Sequence, residues 1–284
     1  MESALFLPAY QSKGRDRRFF LKNEDVDAVK ILESEGVSLT TAEIPEELTL
    51  ENACTNKHDF DISLVEDFLR TVPETYPDSR IFIGGQHHTA LVNASITKPK
   101  TVLWFDRHTD MYGEFDNYHL ITPLYAKVLR NIINEFHPEV FHFGYLITPN
   151  VNSPFDNSEH IEVNSILETV VKEKINFYPN TSFYEGDLKK LHKLINYTLD
   201  FKKIDNLKNQ ELMVSIDLDV FLDGPSLYPS GIVDFDKTVK FLEEISNNNQ
   251  IKGLDICEMN QTSLKDVTTA AKMIKRIITA VNIK

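Results

Sequence analysis

The chain has 284 residues, 42% hydrophobic and 26% charged, with 30 Lys and Arg against 43 Asp and Glu, for a formal charge of −13. That much apolar material can bury a sizeable core, which excludes disorder for most of the chain, and the acidity argues against a nucleic-acid partner, whose affinity rests on Lys and Arg neutralising phosphates. No apolar run approaches the roughly 20 residues of a bilayer span, and residues 1–18 lack the charged, apolar, small order of a signal peptide, so the expectation is a cytoplasmic chain with no membrane segment.

Short apolar runs alternate with longer stretches of helical spacing, as a parallel α/β sheet requires. In chain order, residues 4–7 read as a strand, and the basic run 13–18, broken by Asp16, reads as a solvated turn. A helix is expected over 25–35 and another over 62–72, where Leu64, Phe68 and Leu69 share a face. Strands follow at 80–83 and 101–105, a helix at 120–136 and a strand at 139–143. The segment 146–159, rich in Pro, Asn, Ser and Asp, is long enough to be a lid or an exposed insertion. The remaining elements are a helix at 188–197, a strand at 212–218, a helix at 236–245, a strand at 252–256 and a last helix at 264–281, with Ala271, Ile274, Ile277 and Ile278 at helical spacing. No repeat or compositional break divides the chain, so one domain is expected over 1–284. Cys54 and Cys257 are too few for a disulfide scaffold and lack metal-type spacing, and they read as small buried hydrophobes.

Three of the strands run into polar residues of one chemical type. Residues 80–83 lead into Gly84-Gly85-Gln86-His87-His88, residues 101–105 into Asp106-Arg107-His108-Thr109-Asp110, and residues 212–216 into Asp217-Leu218-Asp219. Ligands of open parallel sheets bind beyond the carboxyl ends of the strands, so these groups would converge on one crevice. A single Asp after a strand is commonly a helix cap or a turn residue. Asp106, His108 and Asp110 alternate, however, and extended backbone would send all three to one side, with Asp217 and Asp219 repeating the pattern. Four carboxylates packed together repel unless cations intervene. Mixed carboxylate and imidazole ligation suits ions such as Mn²⁺, and two of them would activate a bridging water near neutral pH.

With these motifs the sequence resembles the arginase and agmatinase family of manganese ureohydrolases. The family's Gly-Gly-Asp-His-Ser, Asp-Ala-His-x-Asp, Asp-x-Asp-x-x-Asp-Pro and Glu-Val-Asn-Pro are similar to residues 84–88, 106–110, Asp217-Leu218-Asp219 with Asp223 and Pro225, and Glu258-Met259-Asn260. The resemblance implies a three-layer α/β/α fold with a central, mostly parallel sheet. It also implies two Mn²⁺ per chain: His87, Asp110, Asp217 and Asp106 would contact one, and Asp106, His108, Asp217 and Asp219 the other. Asp110 would accept the proton of the nucleophile, His119 would protonate the leaving amine, and Glu258 would hold a cationic head group through paired hydrogen bonds. The implied partner is a small guanidino or formimino compound, hydrolysed at a linear C–N bond, and a homo-oligomer stays open.

The departures fall mainly on substrate recognition. Gln86 replaces the family's first-motif Asp, Arg107 stands where a small residue is usual, and Gly224 separates Asp223 from Pro225. Tyr145-Leu146 replaces an Ile-Arg pair, and residues 111–118 lack the Asn and Ser groups that hold the carboxylate of arginine, so arginine is a poor first expectation. Two alternatives stay open: a deacetylase-like hydrolase with one zinc, and an arginase-fold metal-binding protein without catalysis.

Overall fold

The computed structural model describes residues 3–7, 28–43, 62–84, 87–106, 110, 128–144, 176–178, 207–221, 233–257 and 264–283. Its strands are β1 (Ala4–Leu7), β2 (Leu39–Thr41), β3 (Ile81–Gly84), β4 (Thr101–Phe105), β5 (Glu139–Phe143), β6 (Asn176–Tyr178), β7 (Glu211–Asp217) and β8 (Gln250–Cys257). They form one sheet in the order β2-β1-β3-β8-β7-β4-β5-β6, and each neighbouring pair is parallel. The helices are α1 (Ala28–Ser34), α2 (Ile62–Thr75), α3 (Thr89–Thr97), α4 (Val128–Phe136), α5 (Phe235–Asn248) and α6 (Leu264–Ala280).

The central strands are continuously apolar because helices cover both faces of the sheet. On β4, Leu103 and Phe105 join a cluster with Leu32 of α1 and Ile274 of α6, while Val102 and Trp104 pack on the opposite face with Ala90 of α3 and Ile132 of α4. A third cluster seats Phe68 and Val72 of α2 and Val92 of α3 against Leu5, Leu7 and Phe82. The result is the expected three-layer α/β/α arrangement, with α1, α5 and α6 on one side and α2, α3 and α4 on the other. Ala271, Ile274, Ile277 and Ile278 are all buried, as their spacing requires.

The six expected strands are present within two residues at each end. Of the helix expected at 25–35, the described part runs Ala28–Ser34, and the one expected to stop at 72 continues through Pro73 to Thr75. Only the part of helix 120–136 from Val128 lies within the described residues. The expectations for 13–18, 146–159, 188–197 and Cys54 lie outside them. Helix α3 and the short strands β2 and β6 have no counterpart in the sequence reading.

Two close approaches, one past the end of β5 and one within β8, set how neighbouring elements pack. Gly144, just past β5, has φ +92°, and a Cβ there would sit 2.2 Å from Val220 Cγ2, 2.8 Å from Val233 Cγ2 and 3.4 Å from the Asp106 carbonyl oxygen. Gly253 on β8 lets α3 press onto the sheet, where an added Cβ would fall 2.0 Å from Asn93 Oδ1.

Candidate functional site

His87, Asp106, Asp110, Asp217 and Asp219 come from the carboxyl ends of β3, β4 and β7, and all five side chains are buried. Register sets part of this arrangement: Phe105 pairs with Ile216, so Asp106 and Asp217 leave adjacent strands at the same level, and Asp217 pairs across to Cys257 on β8. The Asp106 amide donates to the Phe143 carbonyl at 3.0 Å, which ties the start of its turn to β5.

Strand alternation does not account for the rest. Asp110 has φ +49°, a left-handed conformation that an extended chain cannot pass through, and its carbonyl accepts from the Arg130 amide at 3.3 Å. Asp219 lies in a one-turn 3-10 helix, Leu218–Val220, whose cap is Asp217 and whose Asp219 amide donates to Asp217 Oδ1 at 2.9 Å. The expectation of extended backbone through Asp110 and Asp219 is therefore corrected. A tight turn delivers Asp219 and a left-handed residue conformation sets Asp110, and a separation of two residues suits a turn as well as a strand.

His87 Nδ1 lies 2.8 Å from Asp110 Oδ2, 3.1 Å from Asp106 Oδ2 and 3.8 Å from Asp217 Oδ2. One ring nitrogen carries at most one proton, and neither of the nearer oxygens stands in hydrogen-bonding geometry to it. Three donors aimed at one small space suit a shared cation better than a chain of hydrogen bonds. The donor atoms form two groups, His87 with Asp106 and Asp110, and Asp106 with Asp217 and Asp219; within each group they lie within 4.8 Å of one another. Asp106 belongs to both. An oxygen-rich donor set with one imidazole fits hard to borderline divalent ions.

The surroundings hold the imidazole in place. His87 stacks on Trp104 at 4.1 Å and 20°, and the Trp104 indole donates to Asp106 Oδ2 at 3.3 Å. On the other edge of the ring, Nε2 is 2.9 Å from Ser215 Oγ, which donates in turn to Asp255 Oδ2 at 3.2 Å, and Thr89 donates to the same oxygen at 3.4 Å. Burial works against a charged His87, but the Cys257 sulfur and the carboxylates of Asp106 and Asp110 outweigh it and carry its pKa well above 6.5. Burial, with His87 adding to it, lowers His88 to about 4. Burial also raises Asp255 to about 7, opposed by His87 and by hydrogen bonds from Ser215 and Thr89, and it pushes the Cys257 thiol well above its usual range.

His108, His119 and Glu258 lie outside the described residues, as do Gln86, Arg107 and Tyr145. Trp104, Ser215, Thr89, Asp255 and Cys257 were not picked out as site residues from sequence. The available signal was a polar residue at alternate positions of two paired apolar strands, Ser215 and Asp217 on β7 opposite Asp255 and Cys257 on β8.

Among the described residues, no helix is long and apolar enough to cross a membrane. A search of curated proteins gives no significant sequence match. Solved structures do match in fold. A protein assigned as an agmatinase from Clostridium difficile aligns over 99% of this chain and 97% of its own, at 15% identity and TM-score 0.61. The formimidoylglutamase of Bacillus subtilis aligns over 98% and 86%, at 15% and 0.58, and the arginase of Bacillus subtilis over 98% of each chain, at 15% and 0.57. The Arginase family model matches residues 21–281, nearly the whole length, and the chain therefore belongs to the arginase family.

Proposed function

We propose that the chain is a dinuclear manganese hydrolase of linear amidine or guanidino C–N bonds, acting on a small guanidino or formimino compound. The observation that carries this reading is Asp106, the one carboxylate common to the two donor groups, which would thereby help to hold both ions. His87 and Asp110 would complete one position and Asp217, Asp219 and His108 the other, with Asp217 within reach of both. Family membership and the likeness in fold to an arginase and a formimidoylglutamase support the class of bond.

Bound there, two divalent ions supply Lewis acidity and a water acidic enough to attack near neutral pH. The protein's part is to place charge and protons. Asp110, with its left-handed backbone conformation and its carbonyl tied to the Arg130 amide, accepts the proton of the attacking water. Glu258, next in sequence after the last residue of β8, pairs with the cationic head group, and the two-point geometry of a carboxylate fixes the plane of the electrophilic carbon. His119 donates the proton that lets the amine leave.

The test is a metal-free preparation reloaded with manganese, analysed for metal per chain, and screened against guanidino and formimino compounds for release of urea, ammonia or formamide. Two ions per chain with turnover that Asp110→Asn abolishes is the expected result. One zinc and no manganese would favour the mononuclear reading, and a fully loaded protein without turnover would favour a binding protein that lacks catalysis.

A further inference from the structure

Beneath the carboxylates lies a second set of donors of different chemistry. Asp255 and Cys257, two residues apart on β8, face the same side, and their ligand atoms and those of His87 all lie within 4.8 Å of one another. Asp255 is fully buried, yet only its Oδ2 is served, by Ser215 and Thr89. By strict geometry its Oδ1 accepts no hydrogen bond among the described residues, although the Asn93 side chain lies close enough to favour the charged carboxylate. A buried carboxylate oxygen left in this state costs stability unless a further partner arrives. Cys257 is likewise buried and not in a disulfide.

We infer that His87, Asp255 and Cys257 form a separate thiolate-containing position that takes zinc or a similarly soft divalent ion. Manganese and magnesium avoid thiolate, whereas zinc accepts one nitrogen, one oxygen and one sulfur donor at about 2.0–2.3 Å. Donor atoms within 4.8 Å of one another can converge on a common ion once the side chains adjust to it. Coordination forms a metal–sulfur bond and releases the thiol proton to solvent, with no change in oxidation state. A neutral imidazole has one lone pair, so His87 serves either this set or the carboxylate set, and zinc held here works against loading of the carboxylates. That competition, unlike the thiolate position itself, rests on the function proposed above.

Cobalt(II), a spectroscopic stand-in for zinc, tests the position in the full-length, metal-free chain. The expected result is a near-ultraviolet thiolate-to-cobalt charge-transfer band in the unaltered protein. It should be kept in Cys54→Ser and in Asp110→Asn, lost in Cys257→Ser, and bleached by added zinc. X-ray absorption at the zinc edge on unaltered protein with one equivalent bound should show one sulfur neighbour at about 2.3 Å, a readout that stands even if Cys257→Ser does not fold. Cobalt bound without the band, a band that survives in Cys257→Ser, a band lost in Asp110→Asn, or a zinc shell of nitrogen and oxygen alone would each overturn the assignment. Zinc preloading should also reduce manganese uptake. Failure of any preparation to take up manganese would count against the dinuclear function and leave the cobalt result standing.

Discussion

Replacing Asp106 with Asn should change stability in opposite directions with and without divalent metal. Asp106 shares a 4.8 Å neighbourhood with Asp110 in one donor group and with Asp217 and Asp219 in the other. At that spacing, with an effective dielectric constant of about 20, each pair of carboxylates repels by about 3.5 kcal/mol. Three such pairs meet at Asp106 and sum to roughly 10 kcal/mol, comparable with the whole stability of a typical domain. The metal-free chain must relieve much of this through His87 and proton uptake, so the net gain on removing the charge is smaller, on the order of 2 kcal/mol. Asn keeps the shape and still offers an oxygen to the Trp104 indole, while the lost attraction between Asp106 and His87 is part of what reduces the net gain to that figure. For a chain of this length about 2 kcal/mol corresponds to roughly 3 °C in Tm. Asp106→Asn should therefore melt higher than the unaltered protein in chelator and lower in saturating manganese, where the shared ligand is lost. Thermal denaturation by circular dichroism under both conditions decides the matter. An equal loss of Tm with and without metal would refute the idea that these carboxylates are crowded as charges.

Three further outcomes follow from the packing and the buried groups. Gly144→Ala forces a side chain into a positive-φ position against Val220 and Val233 and should cost about 2–4 kcal/mol in urea denaturation, with part of the loss recovered in Gly144→Ala/Val220→Ala. Gly253→Ala places its Cβ on Asn93 Oδ1 and should cost about 1–3 kcal/mol by overpacking, and a full-strength stability in that variant would show that α3 is not seated on β8 as described. His88 is neutral when folded, with a pKa lowered to about 4 from 6.5, so the unfolded chain binds the extra proton between those values. Its contribution is present above about pH 6.5 and lost as pH falls toward 4, by up to about 3 kcal/mol, and a stability–pH curve for His88→Gln should be flatter across that window.

The parallel sheet was legible because strands covered on both faces read as unbroken apolar runs, and 101–105 and 139–143 were located to the residue. Helix α3 was not, for a related reason. Thr89–Thr97 is buried on several sides, with Ala90, Val92, Asn93 and Ala94 all inside, so it lacks the polar face that makes a helix visible by periodicity. Strand β2 is three residues long with an exposed edge and carries little pattern. The five described candidate ligands were found by residue type at strand ends, although the geometry assumed for Asp110 and Asp219 was wrong. Asp255 and Cys257 escaped notice because a polar residue inside a buried strand shows its purpose only when the neighbouring strand and its Ser215 are known.

The order of strands also determines when the site can exist. The last strand, β8, lies between β3 and β7, and among the described residues it alone joins the trio β2-β1-β3 to the remaining four strands. His87 belongs to the first block and the four carboxylates to the second. Before residues 250–257 are in place the strands form two half-sheets with open edges, and the imidazole lacks the strand that sets its register against the acids, keeping only side-chain contacts across the two blocks, its stacking on Trp104 among them. The donor group that contains His87 therefore depends on β8, whereas Asp106, Asp217 and Asp219 leave adjacent strands of one block, so a chain cut short before β8 would lose the first group before the second.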